Sequence, residues 1–105
     1  MTAASSELRF THPDRQRFFE DYQPDSKYVL GSVEVNEQEV LEFAKRYDPQ
    51  SIHTTPEFAE NGPFEGLIAS GWHTAGLMMS LYAPHYLSDV SSLASPGMDE
   101  LRWLA

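Results

Sequence analysis

The hydrophobic positions of this chain change period along its length, and each change predicts an element. From Lys27 to Val35 the apolar residues are Tyr28, Leu30, Val33 and Val35, which reads as a half-buried strand. Gly31 interrupts the alternation, where a bulge would sit. Asn36 then offers an N-cap, with Glu39 three residues on at the capping-box spacing. Val40, Leu41, Phe43, Ala44 and Tyr47 recur with the helical period. Lys45 and Arg46 fall in the last turn, where cations suit the helix dipole. Asp48-Pro49 ends this helix, because a residue before proline disfavours the helical region.

Thr54-Thr55-Pro56-Glu57 predicts a second, short helix, with a Thr cap, Pro at the first helical position and an acid behind it. Asn61-Gly62-Pro63 stops it. Gly62, Gly66 and Gly71 lead into Trp72–Leu87, which is apolar almost all round. That pattern predicts a helix buried on all sides, with Pro84 bending or shortening its end. Residues 88–98 read as a loop. Met98 to Ala105 reads as a further strand through Leu101, Trp103 and Leu104. Upstream, residues 1–24 are polar with isolated aromatics. They read as an arm, with Arg15 to Tyr22 helical, in front of a domain over residues 25–105.

Composition narrows the classes. A chain of 105 residues suits one domain. Without cysteine it has no disulfide, thiolate metal site or Cys nucleophile. The formal charge of −9 repels phosphate backbones and argues against nucleic acid as a partner. No apolar run approaches the roughly 20 residues that span a bilayer, and Met1 to Arg9 lacks an apolar signal region. The expectation is a cytoplasmic protein that works away from membranes.

Two segments carry chemistry. Asp48 and His53 lie in an irregular stretch between two helices. A carboxylate and a neutral imidazole that converge on one water orient it and move its proton. Alone, though, Asp before Pro often only ends a helix, and a lone His often satisfies a backbone carbonyl. The second segment is Gly66-Leu67-Ile68-Ala69-Ser70-Gly71-Trp72. Free N–H groups at a helix start stabilise an oxyanion, and a glycine there lets a carbonyl approach the backbone. The simpler reading makes Ser70 an N-cap and Gly71 a packing residue. His12, His73 and His85 suggest no metal site and read as structural or surface residues.

The two segments in order, with their flanking helix starts, resemble the MaoC-like acyl dehydratases, the family of the (R)-specific enoyl-CoA hydratases, over roughly Val33 to Leu104. The resemblance implies an α+β hot-dog fold: an antiparallel sheet wrapped around a central helix, here about residues 71–87. It implies that Asp48 and His53 hold a water that adds across the double bond of a trans-2-enoyl thioester, the reverse being dehydration. It implies an oxyanion site at the Gly71 N–H, with Ser70 and Gly66 beside it. The substrate would be an acyl-CoA or acyl carrier protein thioester. No cofactor is implied, and the assembly would be a homodimer or higher oligomer.

Several positions depart from the family pattern. Gln50, Ser51 and Ile52 stand where many relatives have Asn and Pro before the His. Thr55 stands where they carry an Asp, and Ser70 where they often place a His. A hot dog also needs more strands after its helix than residues 98–104 supply. The resemblance therefore implies a domain short at its C-terminus, with the central helix partly bare. Besides the hydratase, two readings stay open: a non-catalytic hot-dog module that binds an acyl thioester or only assembles with a partner, and a thioesterase on the same fold.

Overall fold

The structure is a computed structural model that describes residues 7–8, 17–90 and 93–104. Arg15, His12 and most of the arm lie outside the described residues. The elements are β1 (Glu7–Leu8), a 3-10 turn (Phe19–Asp21), β2 (Lys27–Tyr28), α1 (Glu37–Tyr47), α2 (Ser51–Thr54), α3 (Pro56–Glu60) and α4 (Gly71–His85). Residues 33–78 form one compact unit. Residues 1–32 and 79–105 form the other, so α4 begins in one and ends in the other.

In the unit of residues 33–78, α1 forms as its stripe predicts. The Asn36 side chain accepts the Glu39 N–H at 3.2 Å, so one orphan donor of the first turn is satisfied. The stripe turns Val40 and Ala44 inward, and Ala44 is fully buried. Helix α1 packs on α2, and α2 on α3, where Ala59 completes the small apolar core. Pro56 occupies the first turn of α3, where its missing N–H costs nothing. The Thr55 cap donates and accepts no cap bond through its side chain; its hydroxyl lies 3.3 Å from that of Thr54.

The other unit is organised by tyrosines. Tyr82 stacks on Tyr86 with centroids 4.9 Å apart, and Tyr22 and Tyr28 meet Tyr86 at 4.9 and 5.6 Å. The Tyr86 carbonyl accepts from Arg17 Nη1 at 2.8 Å and from the Tyr22 hydroxyl. Burial pushes the Tyr86 phenol upward, and its tyrosine neighbours add to the effect. The turn Phe19–Asp21 is closed by the Phe18 N–H donating to Asp21 Oδ2 at 2.9 Å.

Three expectations change. The strand expected over Lys27 to Val35 is two residues long and pairs parallel, Glu7 with Lys27 and Leu8 with Tyr28. Gly31 beyond it takes φ +126°, a conformation that ends regular extension rather than bulging it. Residues 98–104 form no strand, because no described segment pairs with them. Helix α4 is not buried all round. Only His73 is buried, while Trp72, Met78 and Met79 are 63%, 47% and 42% exposed. An apolar helix is covered only by what wraps it, and among the described residues the sheet is a two-residue pair. Pro84 sits in the last turn of α4 and ends it soon after. No described helix is long and apolar enough to cross a membrane.

Candidate functional site

Asp48 is fixed first by the end of α1. It is the C-cap, its N–H donating to the Ala44 carbonyl at 2.8 Å, and Pro49 prevents continuation. The chain then turns back at once. The Gln50 N–H donates to the Asp48 carbonyl at 2.8 Å, and Gln50 in turn caps α2, accepting the His53 N–H at 2.9 Å. The stretch expected to be irregular is therefore a full helical turn, Ser51–Thr54, and His53 lies on its buried side with 6% exposure.

The imidazole is held from its far side. His53 Nδ1 lies 2.8 Å from the Ile68 carbonyl. A carbonyl only accepts, so Nδ1 carries the proton in this bond. Neutral His53 then presents a bare lone pair at Nε2, and Nε2 lies 3.5 Å from Asp48 Oδ2. A second tie keeps the segments together, the Ile68 N–H donating to the Ile52 carbonyl at 3.3 Å.

Ser70 closes the third side. It is fully buried and precedes α4, accepting the Thr74 N–H at its carbonyl. Its Oγ accepts the Trp72 N–H at 3.3 Å, as an N-cap does, and donates to Asp48 Oδ2 at 2.7 Å. The hydroxyl proton of Ser70 is thus committed to Asp48. On the other carboxylate oxygen, Gln50 Nε2 donates to Oδ1 at 2.7 Å. These two hydrogen bonds, Gln50's first and Ser70's second, pull Asp48 below the ordinary carboxylate range. Partial desolvation opposes them, and His53, when it takes up a proton, adds a smaller downward pull.

Of the residues singled out from sequence, Asp48, His53 and Ser70 therefore meet at one point. Gly71 is the first residue of α4, and its N–H has no partner among the described residues. Gly66 joins no contact of this cluster, and a Cβ there would meet nothing within 4 Å. Two further residues matter here, Gln50 and His73, the second expected from sequence to be structural or surface-exposed. Gln50 counted only as a departure from a pattern, although its position two residues past the acid is the reach of an Asx-type side-chain contact. His73 is buried against Phe43, ring on ring at 5.0 Å, with Nδ1 lacking a hydrogen-bond partner among the described residues. A cavity of about 210 Å³ borders the same segment, lined by Val35, Glu37, Val40, Leu67 and Ala69.

Residues 20–105 match the family model described as MaoC like domain, and the chain belongs to that family. Membership implies the hot-dog fold. A stretch of 51 residues is 37% identical to the uncharacterized protein YdeM of Bacillus subtilis (strain 168), covering 49% of this chain and 36% of that protein. The match thus spans about a third of the relative's length. No solved structure matches.

Proposed function

We propose that this chain hydrates trans-2-enoyl thioesters, and in reverse dehydrates 3-hydroxyacyl thioesters, at the Asp48–His53 pair. One observation carries the reading. Two acceptors, Nε2 of neutral His53 and Oδ2 of Asp48, face each other at 3.5 Å. Two lone pairs in that position repel, whereas a water that donates one O–H to each satisfies both. Such a water has its own lone pair turned outward, toward an electrophilic carbon.

The chemistry follows from there. The water oxygen bonds to C3 of the enoyl group, and the π electrons move toward the thioester carbonyl. The water's proton passes to His53 Nε2, because Asp48 already takes two donors and is held low. His53 then returns a proton to Cα, and the carbonyl re-forms. Asp48 stays anionic beside the imidazolium and steadies it. The charge that develops on the carbonyl oxygen is met by the Gly71 N–H, with the dipole of the 15-residue α4 behind it. Val35, Val40, Leu67 and Ala69, which line the cavity together with the acidic Glu37, would contact an acyl chain there. This chemistry is the same for a thioester carried by CoA or by acyl carrier protein, and a homodimer or higher oligomer would cover the exposed face of α4.

The test is loss of enoyl absorbance with crotonyl-CoA, followed alongside free-thiol release. Absorbance loss without thiol supports hydration. Thiol release in its place makes the chain a thioesterase. A second reading is favoured by the exposed Trp72, Met78 and Met79 on α4, which suit a module that binds a thioester or assembles without turnover. Calorimetric binding of a saturated acyl-CoA by a chain inactive in both assays selects that reading.

A further inference from the structure

The structure assigns Gln50 and Ser70 a joint role: they are positioning residues that clamp the two oxygens of Asp48, keep it anionic, and leave His53 as the base. This rests on the hydratase reading of the pair, although the clamp itself is independent of any substrate.

The geometry is a two-point hold from opposite directions. Gln50 Nε2 donates to Oδ1 at 2.7 Å from the start of α2. Ser70 Oγ donates to Oδ2 at 2.7 Å from the start of α4. Hydrogen bonds at both oxygens restrain the carboxylate against rotation about its last bond. Its remaining acceptor capacity on Oδ2 is therefore left toward His53 Nε2, 3.5 Å away. Neither donor is duplicated by an Arg or Lys, since the described ion pair at Asp48 is with His53 alone. A neutral clamp of this kind orders the carboxylate without a competing cation.

Ser70 does a second job. The same Oγ accepts the Trp72 N–H at 3.3 Å and so ties Asp48 to the first turn of α4. The group that orients the water and the N–H of Gly71 that would meet the carbonyl oxygen are then set by one hydroxyl. Ser70 is fully buried, which leaves its hydroxyl no alternative partner in solvent.

The consequence has a sign. Both bonds favour the charged form of Asp48, so removing either must raise its pKa. Rates that need Asp48 ionised would then lose their acid side at higher pH, and the loss would fall on kcat with KM little changed.

The experiment uses Gln50→Met, which keeps the length of an exposed side chain but has no donor, and Ser70→Ala. Carbonyl-carbon NMR follows the Asp48 carboxyl through an acid titration, with Asp48→Asn assigning the signal. The expected result is a higher Asp48 pKa in each variant and higher still in the double variant, with the acid limb of kcat for crotonyl-CoA moving the same way. An Asp48 titration unchanged in folded Gln50→Met overturns the clamp, whatever the enzyme does. Should Ser70→Ala fail to fold, the Gln50→Met result alone decides. A wild-type chain that never turns over enoyl-CoA, yet shows the shifted titrations, overturns the hydratase reading and leaves the clamp standing.

Discussion

Asp48 gains its character from neighbours two, five and twenty-two positions away in the chain, Gln50, His53 and Ser70. Replacing it by Asn keeps the shape and removes the charge. The expected outcome is a fall in kcat/KM of about 10²–10⁴-fold, the usual worth of a positioned acid–base group, measured on crotonyl-CoA. His53→Gln is expected to fall in the same range, and the double variant to be little worse than either, because in the proposed mechanism the pair acts on one water. Asp48 also links the fold to pH. Its folded pKa lies below the ordinary 3.8. A depressed carboxylate contributes stability that is fully present above the ordinary value and lost as pH falls through the folded one. Denaturant melts between neutral pH and about pH 3 should therefore show a steeper acid loss for wild type than for Asp48→Asn. Equal slopes would remove Asp48 from the acid response. Much of this site was legible in sequence, since Asp48, His53 and Ser70 stood out by type and place. The contact between Ser70 and Asp48 was not. It spans two helix ends, and nothing local records which carboxylate a capping serine faces.

Elements were legible where local chemistry decided them. Helix α1 has its cap, stripe, basic last turn and proline stop in sequence, and each agrees with the next. Asn36→Ala is accordingly expected to cost about 1 kcal/mol, read as a lower melting temperature with the helix otherwise intact. The strands were the opposite case. Alternation from Tyr28 to Val35 describes a surface that would fit a sheet, but a strand exists only where a partner does. Here pairing stops at Tyr28, and Gly31 turns away at φ +126°. Because that conformation suits few side chains, Gly31→Ala is expected to destabilise by about 1–3 kcal/mol, although the added Cβ would meet only Leu81 Cδ2 at 3.5 Å. A thermal scan of that variant matching wild type would contradict the assignment. Helix α4 was placed within two residues by its apolarity, while its burial was overstated, for the same reason as the strands: covering is a tertiary fact.

At the scale of the whole molecule, family membership supplies what local pattern could not, because the hot dog is defined by long-range pairing that leaves a faint trace in any one segment. Trp72, Met78 and Met79 lie exposed on α4 in a chain of 11.9 kDa. Exposed apolar surface of this kind favours association. Sedimentation at rising concentration is expected to give a mass above the monomer, and Trp72→Glu with Met79→Glu to return it toward 11.9 kDa. A monomer at all concentrations would contradict this. The central claim is narrower: that one water between Asp48 and His53 does the chemistry. It is tested most directly by the initial rate of enoyl absorbance loss from crotonyl-CoA, measured for wild type and Asp48→Asn in parallel, both shown folded by circular dichroism. The account predicts steady turnover by wild type, without thiol release, and a rate at least a hundredfold lower in Asp48→Asn, at about the lower bound for such a group. Equal rates in the two proteins, or none from folded wild type, would contradict it.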